Sequence, residues 1–117
     1  MSTNLQNKQW LFVKQPSGAA TEDCFKLVQA EVPSPKEGEI LIQSLYLSVD
    51  PYMRGRLTAP DAATRLNKVQ IGAVVGKVLE SKDTTNNIKQ GDIVVAYTGW
   101  QLYAVVPAAQ ATKFYVE

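Results

Sequence analysis

The hydrophobic positions of this chain fall in short runs, each closed off by glycine, proline or a cluster of small polar residues. Lys8 to Val13 and Cys24 to Val32 read as two short strands joined by a segment containing Gln15-Pro16-Ser17-Gly18, whose proline and glycine suit a connection. A hairpin or meander is the expected product. Pro33, Pro35 and Gly38 break the chain again. Glu39 to Val49 then carries Ile40, Leu41, Ile42, Leu45, Leu47 and Val49 with little polarity, the pattern of a strand covered on both faces or nearly so. That strand stops abruptly. Asp50 has the side chain of a helix N-cap, and Pro51 fits the first helical position, where its missing N–H costs nothing. A single helical turn through Met53 and Arg54 is predicted, ending near Gly55 and holding Tyr52 over the end of the strand.

Beyond Arg56 the pattern weakens. Leu57 to Val69 mixes Ala59, Ala62, Ala63 and Leu66 with charges, which fits a short helix or a loop lying over a site, and the loop is the preferred reading. Gly72 to Ser81 reads as a further strand, in which Gly76 marks a bulge or a close approach of a neighbouring backbone or ligand. Asp83-Thr84-Thr85-Asn86-Asn87 is a polar turn, and Lys89-Gln90-Gly91-Asp92 a second one leading into a strand from Ile93 to Tyr97. Gly99-Trp100 turns the chain into Gln101 to Val106. Pro107 and the alanines after it predict one helical turn before a strand from Lys113 to Val116. Many short strands with little helix argue for an all-β sandwich or barrel.

Composition narrows the possible chemistry. With 117 residues, 45% of them hydrophobic and 20% charged, the chain is expected to form one domain with a modest core. Twelve basic and 11 acidic residues leave a net charge of +1, too little to attract a polyanion, so nucleic acid is not an expected partner. Met1 to Asn7 contains no apolar run, so neither a signal peptide nor a membrane span is read there, and a cytoplasmic protein is expected. The single Cys24 cannot form an intrachain disulfide and reads as an inert, at least half-buried thiol. The chain has no histidine, so it cannot assemble a Ser-His-Asp or Cys-His arrangement, or the usual ligand sets of structural or catalytic zinc. No glycine-rich phosphate turn follows a predicted strand and opens a helix.

Several motifs together resemble one family. Leu47 to Arg56, then Gly72-Ala-Val-Val-Gly76-Lys-Val78-Leu-Glu-Ser81, Gly91-Asp92-Ile-Val94 and Gly99-Trp100-Gln-Leu-Tyr103 are similar, in order and spacing, to the zinc-independent branch of the medium-chain dehydrogenase/reductases. That branch contains the prostaglandin and leukotriene reductases, curcumin reductase and the alkenal double-bond reductases. The opening Gln9-Trp10-Leu-Phe12 resembles its first strand. In zinc-dependent relatives a His-Glu pair precedes the strand matching Gly76-Lys77-Val78; here Gly72-Ala73 stands in that place, which favours the metal-free branch. The resemblance implies a mainly β fold, a GroES-like, partly open β-barrel with short helical turns, occupying residues 1–117 as the N-terminal, substrate-side domain. It also implies that the nucleotide-binding Rossmann domain is absent and that the chain is catalytically silent alone.

In the complete family, the resemblance implies, NADPH lies between two domains and delivers hydride to the β-carbon of an α,β-unsaturated ketone or aldehyde. Enolate charge then develops on the carbonyl oxygen, where a neutral phenol can donate a hydrogen bond that strengthens in the transition state. Tyr52 is the candidate catalytic residue; the competing account is that it packs over the barrel mouth. Pro51 and Met53 are expected to line the substrate site beside Tyr52, with Met53 as an adaptable apolar wall. Arg54 and Arg56 are candidates for the cofactor's phosphates or for the missing domain, against the commoner case of two solvated arginines. Asp50 reads as a cap rather than a base. Some plant members carry a pocket-shaping tyrosine where this chain has Ala73. Trp100 and Tyr103 read as packing residues, and Tyr46 as core or wall. The expected partners are a small-molecule enone or enal and, through apolar surface and an unpaired sheet edge, a second copy of the chain. The alternative is a free-standing β-barrel module that holds a small apolar ligand or partner chain around Tyr52 and Trp100.

Overall fold

A computed structural model of the protein describes residues 5–114. Its strands are β1 (Gln6–Phe12), β2 (Phe25–Glu31), β3 (Glu39–Leu47), β4 (Lys68–Val69), β5 (Val74–Ser81), β6 (Ile93–Ala96), β7 (Tyr103–Pro107) and β8 (Thr112–Phe114). One α-helix, α1 (Pro51–Thr58), and short 3-10 turns at Glu22–Cys24, Ala62–Arg65 and Ala108–Gln110 complete it. All pairings are antiparallel, in a three-stranded sheet ordered β2-β1-β4 and a five-stranded sheet ordered β7-β3-β5-β6-β8. The mainly β reading holds, but the two sheets do not close into a barrel. β1 and β2 form the expected hairpin, in register from Gln6 opposite Glu31 to Phe12 opposite Phe25. Of the strand expected from Lys113 to Val116, the last two residues lie outside the described ones. No helix among the described residues is long and apolar enough to cross a membrane.

The main core sits on the five-stranded sheet, where Ile40, Ile42, Val78, Val94, Ala96 and Val106 are buried together with Ile88 and Ala108. Gly76 allows this packing. A methyl group built there would lie 2.2 Å from Ile42 Cγ2 and 2.8 Å from the Gln43 carbonyl oxygen, so β3 and β5 approach too closely for any side chain at that position. The register between the two strands also slips, between Leu41 and Ile42 and again between Ser44 and Tyr46. After the second irregularity β3 leaves the core. The expectation of a strand covered on both faces therefore fails in its second half: Tyr46 is 72% exposed and Val49 77%, with Leu45 and Leu47 also exposed. Tyr46 is neither core nor wall. Leu45 and Leu47 instead border an apolar groove of about 300 Å³ with Trp10 and Leu27 of the hairpin.

The segment 97–102 is laced between the sheets. Trp10 N–H donates to the Trp100 carbonyl at 2.9 Å, Trp100 N–H to Gln70 at 2.8 Å, and Leu102 N–H to Lys8 at 2.9 Å. Buried Asn7 strengthens the joint, donating to Gln101 Oε1 and accepting from the Tyr103 N–H, both at 2.9 Å. The side chain of a strand residue thus supplies the hydrogen bonds that the two sheets do not share as a continuous ladder.

Candidate functional site

Helix α1 follows the irregular end of β3. Asp50 stands at its N-cap in extended conformation, with Pro51 at the first helical position. The Asp50 carboxylate makes no capping bond to the helix; it accepts instead from the Ser48 hydroxyl. Gly55 does not end the helix, as the sequence suggested it would. The helix runs to Thr58 and yields at Ala59, which adopts extended geometry (φ −63°, ψ 157°) because the residue before Pro60 is pushed out of the helical region. The segment expected to be a loop therefore holds the second helical turn, a 3-10 turn and β4.

This extra turn decides which side chains meet. Residues four apart share a helix face, so Met53 and Leu57 are both turned inward and buried, while Tyr52 and Arg56 lie together on the adjacent, exposed face. The Arg56 guanidinium carbon sits 5.9 Å from the centre of the Tyr52 ring, within range of a cation–π contact. Leu57 packs with Phe12 and Ala62 in a second small core. Arg65 anchors the helix end, pairing with Asp61 at 3.3 Å and donating to the Arg56 carbonyl oxygen.

Tyr52 and Arg56 form one wall of an open cleft of about 540 Å³. Val69, Ile71, Gly72, Tyr97, Thr98 and Gly99 complete its lining. Tyr97, the residue just after β6, is 77% exposed, while Gly72, Thr98 and Gly99 are buried. Gly72 packs so tightly on Trp100 and Met53 that an added methyl group would sit 2.9 Å from Trp100 Nε1 and 3.0 Å from Met53 Cε. Met53 thus lies beneath the cleft rather than lining it. Pro51 and Arg54 are exposed on the helix but do not border the cleft. Trp100 donates from Nε1 to the Ser48 carbonyl at 3.3 Å and packs against Phe25 with ring centres 5.5 Å apart. Tyr103 is buried. Both are placed as packing residues.

Of the five residues singled out from the sequence, the structure brings Tyr52 and Arg56 together and separates Pro51, Met53 and Arg54 from them. Tyr97, Thr98, Val69 and Ile71 were missed. The available signal was an aromatic residue ending a strand just before the Gly99-Trp100 turn, a place where a side chain is left without a cross-strand neighbour.

A family model for the N-terminal domain of oxidoreductase matches residues 8–114. The NADPH-dependent curcumin reductase of Escherichia coli is 35% identical over 103 residues, covering 86% of this chain and 29% of the relative. Prostaglandin reductase 1 of Mus musculus is 34% identical over 113 residues, covering 97% of this chain and 32% of the relative. The crystal structure of CurA in complex with NADPH, from Vibrio vulnificus, superposes with a TM-score of 0.80 at 36% identity, covering 91% of this chain and 32% of that one. The chain spans about a third of the length of the proteins it matches.

Proposed function

The chain belongs to the family of N-terminal oxidoreductase domains, in the zinc-independent branch of the medium-chain dehydrogenase/reductases, and from that membership we propose that it is the substrate-side part of an NADPH-dependent reductase acting on the C=C bond of α,β-unsaturated ketones or aldehydes. The observation that carries this reading is the pairing of the Tyr52 phenol and the Arg56 guanidinium on one face of α1, at the mouth of the cleft. When bound, NADPH supplies the hydride. Tyr52 donates a hydrogen bond to the substrate's carbonyl oxygen as negative charge builds there, an interaction stronger in the transition state than in the ground state. Pro51 starts the helix that aims Tyr52, and Met53 supports the cleft floor from below. Arg54 and Arg56, both exposed, are guanidiniums able to meet a phosphate of the cofactor or a carboxylate of the substrate. Of these, Tyr52 and Arg56 border the cleft and fit one wall of a site there. The glycine-rich phosphate turn that a dinucleotide requires has no counterpart in the sequence, so that contact belongs to another domain.

A domain swap tests the proposal. This chain replaces the matching N-terminal segment of the E. coli curcumin reductase, and NADPH oxidation is followed with a simple enone. The chimera is expected to turn over, and Tyr52→Phe to lower kcat roughly 10-fold to 100-fold with little change in KM. The isolated chain is expected to be silent with the same reagents, because nothing in it positions the cofactor. A folded chimera that binds NADPH but leaves the enone untouched, or that ignores Tyr52→Phe, would overturn the proposal.

A further inference from the structure

Among the described residues, Arg56 is the only charged side chain lining the cleft. Among the described residues it has no carboxylate partner, whereas its neighbour Arg65 is committed to Asp61 and to the Arg56 carbonyl oxygen. The Arg56 side chain is not left to wander. Its backbone is tied down by Arg65, and its guanidinium rests over the Tyr52 ring. Around it the lining carries Tyr52, Tyr97, Val69 and Ile71 together with Thr98, and among the described residues no carboxylate borders the cleft to neutralise the cation. A trough with two tyrosines and the aliphatic Val69 and Ile71 accepts a flat conjugated body. An uncompensated guanidinium at its mouth selects a planar anion over a neutral group.

We infer that Arg56 is a specificity-determining residue and that the cleft prefers a conjugated molecule bearing its own carboxylate over its neutral counterpart. This rests on the proposed assignment of the cleft as the substrate site and names the class of substrate it takes. A cofactor phosphate offers the same anionic chemistry to the same guanidinium, so the experiment must separate the two sources.

The intact chain is titrated by calorimetry with trans-cinnamate, methyl trans-cinnamate and adenosine 2′,5′-bisphosphate. Cinnamate is expected to bind about fivefold to tenfold more tightly than its ester, the range for a partly exposed charge-assisted pair. Raising the salt concentration should weaken the acid and leave the ester unchanged. Arg56→Gln should erase the preference, and Arg56→Lys should keep part of it. Thermal melts of each variant report whether the fold is intact. Equal affinity for acid and ester, or a preference that survives Arg56→Gln, overturns the inference and leaves the reductase proposal standing. Bisphosphate binding that depends on Arg56 while cinnamate gains nothing over its ester assigns the anion to the cofactor and likewise overturns it. If neither cinnamate nor its ester binds saturably, the cleft fails as a substrate site and the inference falls with that assignment.

Discussion

Replacing Gly76 with alanine should destabilise the protein severely, while the same chemical change at Gly55 should stabilise it. At Gly76 the new methyl group would lie 2.2 Å from Ile42 Cγ2, on a side chain with no solvent exposure, and 2.8 Å from the Gln43 carbonyl oxygen. Neither neighbour is the free end of a flexible chain, so β3 and β5 must separate at the centre of the main core. Overpacking of this kind costs up to about 3 kcal/mol. For 117 residues, an unfolding entropy of about 2.1 cal/mol/K per residue converts each kcal/mol into a shift of about 4 °C, so the melting temperature should drop by about 12 °C. At Gly55 nothing lies within 4 Å of the added methyl group, and the residue is inside α1. There alanine restricts the unfolded chain and favours the helix by about 0.5–1 kcal/mol, a rise of roughly 2–4 °C. Calorimetric melts of the two variants, with urea titrations to check that the slope is unchanged, measure both signs. A Gly76→Ala loss below about 1 kcal/mol would mean that β3 and β5 are not in the register described, and the account of the core would fail with it.

Asn7→Ala should cost about 2–3 kcal/mol in a urea titration, because it strips the buried Tyr103 N–H of its acceptor and cuts the link between the two sheets; a loss within experimental error would show that the joint does not depend on this side chain. Acid should destabilise the protein through its turns. The backbone N–H of Ile88, then the hydroxyl and N–H of Thr85, hold the Asp83 carboxyl below its ordinary value, and the N–H of Lys89 does the same for Asp92. The unfolded chain binds more protons than the folded one between the two values, so stability is full above the ordinary carboxylate range and falls as pH drops from about 5 to 2. Asp83→Asn should flatten that slope in denaturation midpoints taken across this window, and an unchanged slope would refute the role given to the turn.

The local chemistry of this chain was legible wherever one residue type has only one comfortable place. Pro51 marked the start of a helix, the Asp83 and Gly91 clusters marked turns, and the β1–β2 hairpin was found from its two apolar runs and the proline-glycine link between them. Gly76 read as either a bulge or a point of close approach, and the choice and the neighbour were not identifiable until β5 was laid beside β3. The second half of β3 misled because apolar composition records an affinity for burial and not whether another element arrives to provide it.

Sequence alone therefore determined that the protein is built mainly from short strands, that it has no histidine and one cysteine to offer a zinc ion, and that Tyr52 and Arg56 follow directly on a strand. Tertiary structure decided that α1 takes a second turn, which places Arg56 over Tyr52, and that the 97–102 segment returns from far along the chain to set Tyr97 in the same cleft. The reason is range. Caps, turns and strand propensities act over a few neighbouring residues, whereas a cleft is formed by segments whose meeting depends on sheet register and on packing across the whole domain.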